Sequence, residues 1–263
     1  MTQYQTIKIT KKNASVFITL NRPEVHNALN DVMISELTAA VKASEKDSTI
    51  RYLFISGEGK SLCAGADIHW MRKAAFNTFE QNVADARKLA DLFQAIYHAR
   101  FPVVVHAKGS VFGGGVGLVA VGDIVIAEHD TVFCLSEVKL GIIPAVISPY
   151  IIRAMGERQA KRYTITAERF SAGEACAMGL VHQVGEPEKI PSILDNLQAS
   201  LLLGSPMAQQ RVKCLFNEIS GCPISKETHE ITAHAIAEAR ASSEGKEGLQ
   251  AFLEKSKPTW VQV

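Results

Sequence analysis

The run VFGGGVGLVAVGD, residues 111–123, sets three consecutive glycines between two apolar stretches and carries no acid, base or nucleophile before Asp123. Residues without Cβ let another backbone or a ligand approach the main chain, and glycines at a helix start leave unpaired N–H groups free to point at negative charge. Such a stretch demands either a tight turn with close helix packing or an anion hole made of backbone. The glycines alone allow both.

The surrounding pattern shows what kind of fold contains it. TIKITKKNASVFITL (6–20) alternates apolar and polar residues about Lys-Lys-Asn, which predicts an opening β-hairpin. Ile34, Leu37 and Val41 then fall at helical spacing, with Asn30 or Asp31 as the N-cap. YLFIS (52–56) reads as a buried strand, Phe79–Ala99 as a long helix, VVVHA after Pro102 as a strand, and DIVIAE and TVFCL as two more. Strand and helix alternate, so an α/β core with a largely parallel sheet buried under helices is expected. Beyond Pro144 strands nearly vanish. Ser171 and Glu174 form a capping box, and the segments from Ser192, Pro206 and Lys226 have helical periodicity. That change of pattern predicts a core over residues 1–200 and a helical subdomain over 201–263.

Charge and cysteine usage exclude several classes. With 28 basic against 27 acidic residues in 263, the net charge of +1 provides no field to hold nucleic acid or an anionic membrane. Five cysteines without CxxC spacing read as reduced thiols, and the polar start MTQYQTIKITKK lacks the apolar region of a secretory signal, so a cytoplasmic protein is expected. The most apolar run, 111–127, is broken by glycines and Asp123 and does not read as a membrane span.

Familiar motifs fail on inspection. GEGKS (57–61) resembles the end of a phosphate-binding loop, but Phe54 stands where that motif needs glycine. GGGVGL places Leu118 at the last glycine of a dinucleotide fingerprint. His229 and His234, five apart on a predicted helix, point to different faces and predict no metal chelate. No GxSxG elbow is present.

A second stretch gives the glycines a context. LCAGADIHWM (62–71) again sets small residues, Ala64, Gly65 and Ala66, between a strand and a predicted helix. With SEVKLGIIPA (136–145), NRPEVHNAL near the start and AFLEKSKPTW at the end, the whole chain resembles the enoyl-CoA hydratase/isomerase (crotonase) superfamily. The resemblance implies a ClpP/crotonase-like α/β fold of repeated ββα units, with a helical C-terminal part that forms a trimer or a dimer of trimers. It implies an acyl-CoA thioester as substrate and no separate cofactor, since coenzyme A belongs to the substrate. The backbone N–H groups of Ala66 and Gly114 would hold the thioester oxygen as it becomes an enolate. Coenzyme A would bend past Val25, His26, Ala64, Asp67 and Ile68, and Phe252 and Lys255 would reach its nucleotide end from a neighbouring subunit.

Hydratases of this superfamily usually carry two glutamates. The second matches Glu137, twenty residues on; the first position is Gly117. One carboxyl group can take a proton and return it if burial brings its pKa toward working pH. Single-glutamate members include isomerases as well as hydratases. GADIHWM, FGGGVGL and LGIIPAVISPYIIRAMGER resemble bacterial methylglutaconyl-CoA hydratases, which implies a branched or carboxylated enoyl-CoA. On that reading Gly117 leaves room for a carboxylate on the acyl chain, with Arg72 and Arg153 as its candidate partners. Isomerase activity, and a noncatalytic CoA- or RNA-binding scaffold on the same fold, are the alternatives.

Overall fold

The computed structural model describes residues 4–261. Strands β1 (Ile7–Lys12) and β2 (Ser15–Leu20) pair antiparallel, and the chain reverses through Asn13, which takes a left-handed φ of 53°. Lys11 and Lys12 stay in the ladder, opposite Val16 and Ser15, so the turn is tighter than the Lys-Lys-Asn pattern predicted. Asparagine tolerates the left-handed region that a short hairpin needs.

Helix α1 (Asp31–Glu45) starts where the Asn30 side chain accepts a hydrogen bond from the Met33 N–H, which decides between the two candidate caps. It buries Ile34, Leu37 and Val41, as their spacing predicted. The chain continues through β3 (Tyr52–Gly57), α2 (Ile68–Ala74), α3 (Phe79–Tyr97), β4 (Val103–Ala107) and β5 (Ser110–Phe112). Then follow α4 (Gly114–Ala120), β6 (Ile124–Glu128) and β7 (Val132–Cys134). Next come α5 (Ser148–Thr166), broken at Gly156, and the short pieces β8 (Arg169–Ser171), α6 (Ala172–Ala177) and β9 (Gln183–Gly185). No helix starts at Lys60, so the GEGKS run has no phosphate-loop geometry.

The main sheet has the order β1-β2-β3-β4-β6-β9 and is parallel from β2 onward. Both of its faces are covered. Leu53, Val103, Val105 and Val125 join the core with α1 and α3, whereas Tyr52, Phe54 and Val104 meet Leu194, Leu197, Leu201 and Leu202 of α7 (Ile190–Leu203). Two-sided burial is why these strands are nearly continuous apolar runs. A smaller sheet, β5-β7-β8, stacks Phe133 on Phe170 with ring centroids 5.4 Å apart.

The boundary expected at 200/201 falls inside α7, whose last turns still pack on the sheet. The C-terminal helices α8 (Pro206–Ile219), α9 (Lys226–Ala241) and α10 (Ser243–Glu254) pack on one another. Of their residues only Ala251 is buried. No helix among the described residues is long and apolar enough to cross a membrane, and all five cysteines are free.

Candidate active site at the start of helix α4

The two small-residue loops lie side by side. The Leu29 N–H donates to the Gly65 carbonyl and the Asp67 N–H to the Leu29 carbonyl, each at 2.8 Å, so Ala66 is pinned between them. The Phe112 N–H donates to the Cys63 carbonyl at 3.0 Å, and the Gly113 N–H to the Cys134 carbonyl at 2.9 Å. This approach needs glycine. A methyl group on Gly65 would stand 3.5 Å from the Phe112 carbonyl oxygen at a φ of +104°, and one on Gly115 would overlap the Cys63 carbonyl.

Gly114 has a different part. It is the first residue of α4, and neither its N–H nor that of Ala66 has an acceptor among the described residues. Both residues are partly exposed. The glycine run therefore serves both uses its sequence allowed: Gly115 lets two backbones meet, and Gly114 leaves a free donor at a helix start.

Glu137 opens a 3-10 turn, Glu137–Leu140, that Gly141 closes at a φ of 73°. Its carboxylate lies against the glycine loop: a methyl group on Gly113 would stand 3.0 Å from Oε1. Among the described residues Oε2 is buried with no hydrogen-bond partner. Burial pushes the Glu137 pKa above the ordinary carboxylate value, a backbone hydrogen bond opposes this, and no charged neighbour contributes. A half-buried acid of raised pKa beside two free N–H groups can carry a proton next to a bound oxyanion.

Other expected residues occupy a rim with separate duties. Val25 is half-buried in a 3-10 turn, Pro23–Val25, that ends at exposed His26 in the left-handed region. The His26 carbonyl accepts from the Ala64 N–H at 3.0 Å. Ile68 is exposed beside them. Asp67 is different: its side chain is 5% exposed, caps α2 through the His69 and Trp70 N–H groups, and pairs with Arg22 at 2.7 Å. The cap bonds and Arg22 hold its carboxyl below the usual range although burial, the largest effect, opposes them. Its carboxylate is thus committed to the loop. Phe252 and Lys255 lie exposed at the end of α10, which packs on α8 and α9, and the single chain does not bring them to Glu137.

The room expected at Gly117 is absent. A methyl group there would overlap Ile147 Cγ2 and stand 2.8 Å from Phe93 Cζ. Arg153 donates to the Tyr97 hydroxyl at 2.9 Å, and Arg72 is exposed in the last turn of α2; neither pairs with an acid among the described residues. Arg22, Asn27, Phe93 and Ile147 were not anticipated from sequence as parts of this region. Asn27 is fully buried, donates to the Glu58 and Ser61 carbonyls and accepts from the Arg22 N–H, which fixes the first loop. Its signal was a polar pair inside NRPEVHNAL; Phe93 and Ile147 had none beyond their apolar character.

Comparison with known proteins identifies the family. Residues 10–263 match the family model described as enoyl-CoA hydratase/isomerase. The chain is 32% identical to a crotonyl-CoA hydratase of Syntrophomonas wolfei, covering 98% of each. It is 28% identical to a trans-2-decenoyl-(acyl-carrier-protein) isomerase of Streptococcus mutans, again over 98% of each. A crystal structure of an enoyl-CoA hydratase from Shewanella pealeana superposes with a TM-score of 0.96 at 40% identity, over 98% of this chain and 97% of that one. With a mixed α/β core, a helical C-terminal part and a match over nearly its full length, the chain has the crotonase fold and belongs to the enoyl-CoA hydratase/isomerase family.

Proposed function

We propose that the chain adds water to, or removes it from, the double bond of a short enoyl-CoA, with Ala66 and Gly114 binding the thioester oxygen and Glu137 moving the protons. The observation that carries this reading is the pair of unpaired N–H groups beside a buried, partnerless carboxylate oxygen. In the hydration direction the Glu137 carboxylate takes a proton from water while the hydroxide oxygen bonds to Cβ. The C=C electron pair moves into the enolate, whose oxygen accepts hydrogen bonds from the two amides. Glu137 then returns a proton to Cα, so H and OH are added and the carboxylate is regenerated. One donor of this preorganised kind contributes about 10²–10³ in rate. Coenzyme A enters and leaves with the substrate, and the step needs no separate cofactor.

Within that class 3-methylglutaconyl-CoA is the substrate we favour, on the resemblance of the GADIHWM, FGGGVGL and LGIIPAVISPYIIRAMGER runs. The argument from space at Gly117 no longer supports it, because Phe93 and Ile147 fill that space. The second reading is a double-bond isomerase, favoured by the solitary acid: Glu137 would take a proton from one carbon and return it to another. Turnover of an acyl-CoA panel in H₂¹⁸O and in D₂O separates the two. Oxygen in the product establishes hydration, whereas deuterium without oxygen establishes isomerisation. We further propose a cytoplasmic homotrimer or dimer of trimers in which Phe252 and Lys255 reach the nucleotide end of a neighbour's substrate, an assembly that light scattering tests directly.

A further inference from the structure

We propose that Phe93 and Ile147 are specificity-determining residues: they close the second-acid position of α4 and leave Glu137 as the only carboxylate able to move protons at this site. The inference rests on the functional reading above. Gly113 and Gly117 are one helical turn apart, linked by the Gly117 N–H donating to the Gly113 carbonyl at 3.2 Å. Beside the first stands the Glu137 carboxylate; beside the second stand a phenyl ring and an isoleucine. A side chain at 117 would meet Ile147 Cγ2 and two ring carbons of Phe93, Cζ at 2.8 Å and Cε1 at 3.1 Å.

These two residues are not a loose lining. Phe93 is 0% and Ile147 2% exposed, and the Phe93 ring packs on Tyr150 with centroids 6.2 Å apart. An ordered water needs about two to four polar partners, and the contacts at Gly117 are hydrocarbon. A carboxylate forced there would be desolvated against an aromatic ring, and with Glu137 nearby each acid would disfavour ionisation of the other. The position is closed to an acid and to water by shape as much as by the missing side chain. A proton taken by Glu137 must then leave by Glu137, whichever reaction the site performs.

The test measures kcat/KM from pH 4 to 9, with ¹⁸O and deuterium incorporation, for the wild-type chain, Glu137→Gln and the triple variant Phe93→Ala/Ile147→Ala/Gly117→Glu, using crotonyl-CoA and 3-methylglutaconyl-CoA. We expect one carboxylate ionisation on the acidic limb of the wild-type profile. Glu137→Gln should lower both oxygen and hydrogen incorporation by about 10²–10⁴. The folded triple variant should gain a second ionisation on the acidic limb. Two carboxylate ionisations in the wild type, or a folded triple variant with the wild-type profile, overturns the inference. If the triple variant does not fold, denaturation decides: Gly117→Ala should cost less stability in the Ile147→Ala background than in the wild type, and an equal cost overturns the inference. Absence of turnover with every acyl-CoA, or full activity in Glu137→Gln, instead overturns the functional reading and removes the basis of this one.

Discussion

The two ends of the first turn of α4 are both glycine, yet only one of them leaves a polar group unpaired. At Gly114 the backbone N–H is free and the residue partly exposed; at Gly117 the backbone is buried and two apolar side chains occupy the space a Cβ would take. One glycine keeps a donor available and the other makes room for Phe93 and Ile147. Glycine content therefore does not by itself mark a ligand site. Both missing side chains leave an apolar contact, since a methyl group at 114 would stand 2.8 Å from Leu29 Cδ1; what separates the two is the unpaired N–H that Gly114 keeps.

The most severe way to break the contrast is at the open end. Glu137→Gln keeps the shape of the side chain and removes its basicity, so turnover should fall by about 10²–10⁴ with little change in circular dichroism. Gly114→Pro removes the free N–H at the first helical position, where proline is tolerated; it also adds a Cβ against Leu29 Cδ1, so Gly114→Ala, which keeps the N–H, is the control. The kcat of Gly114→Pro should fall by about 10²–10³. Steady-state kinetics with a shared acyl-CoA reads both losses. An unchanged kcat in folded Gly114→Pro would remove the oxyanion role from this end of the helix.

Much of this is legible in the sequence. The alternation of apolar runs with helical spacing identified β3, β4, β6, α1 and α3, because each is a local pattern with caps or turns to bound it. The three-residue strands β5 and β8 were not identified, since pieces so short depend on partners distant in sequence. The same division holds at the site. Ala66 and Gly114 sit in stretches of small residues that stand out in the sequence, and the family resemblance picks out these two and Glu137. Phe93 belongs to the apolar stripe of an ordinary helix, and only the fold brings it against Gly117. The Arg22–Asp67 pair, 45 residues apart, was invisible for the same reason.

The filled end is tested by adding one carbon. Gly117→Ala drives a methyl group into Ile147 and Phe93, and overpacking of this kind costs about 1–3 kcal/mol. We expect a lower midpoint in chemical denaturation, and a smaller cost of Gly117→Ala when it is made in the Ile147→Ala background than in the wild type. Because Gly117 supplies no group to the reaction, the folded fraction should lose less activity than Gly114→Pro. A neutral Gly117→Ala would show that the two ends differ less than their contacts imply.

The smallest expected effect concerns stability at the open end and has the opposite sign from the activity loss. Burial raises the Glu137 pKa in the folded chain, so the folded state holds that proton more tightly than the unfolded one. Stability from this group is therefore fully present below the unfolded pKa and is lost as pH rises through the folded value. At pH 8 the ionised carboxylate keeps one oxygen buried without a partner, a cost that glutamine, being uncharged, largely avoids. Glu137→Gln should raise Tm at pH 8 by on the order of 2–4 °C, the shift that about 1 kcal/mol gives in a domain of this size. The gain should shrink toward zero near pH 4, where glutamic acid is itself neutral. Calorimetry at both pH values reads the difference: a gain that persists at low pH would assign the effect to packing, and a loss of stability at pH 8 would mean that the Glu137 charge is compensated in solution.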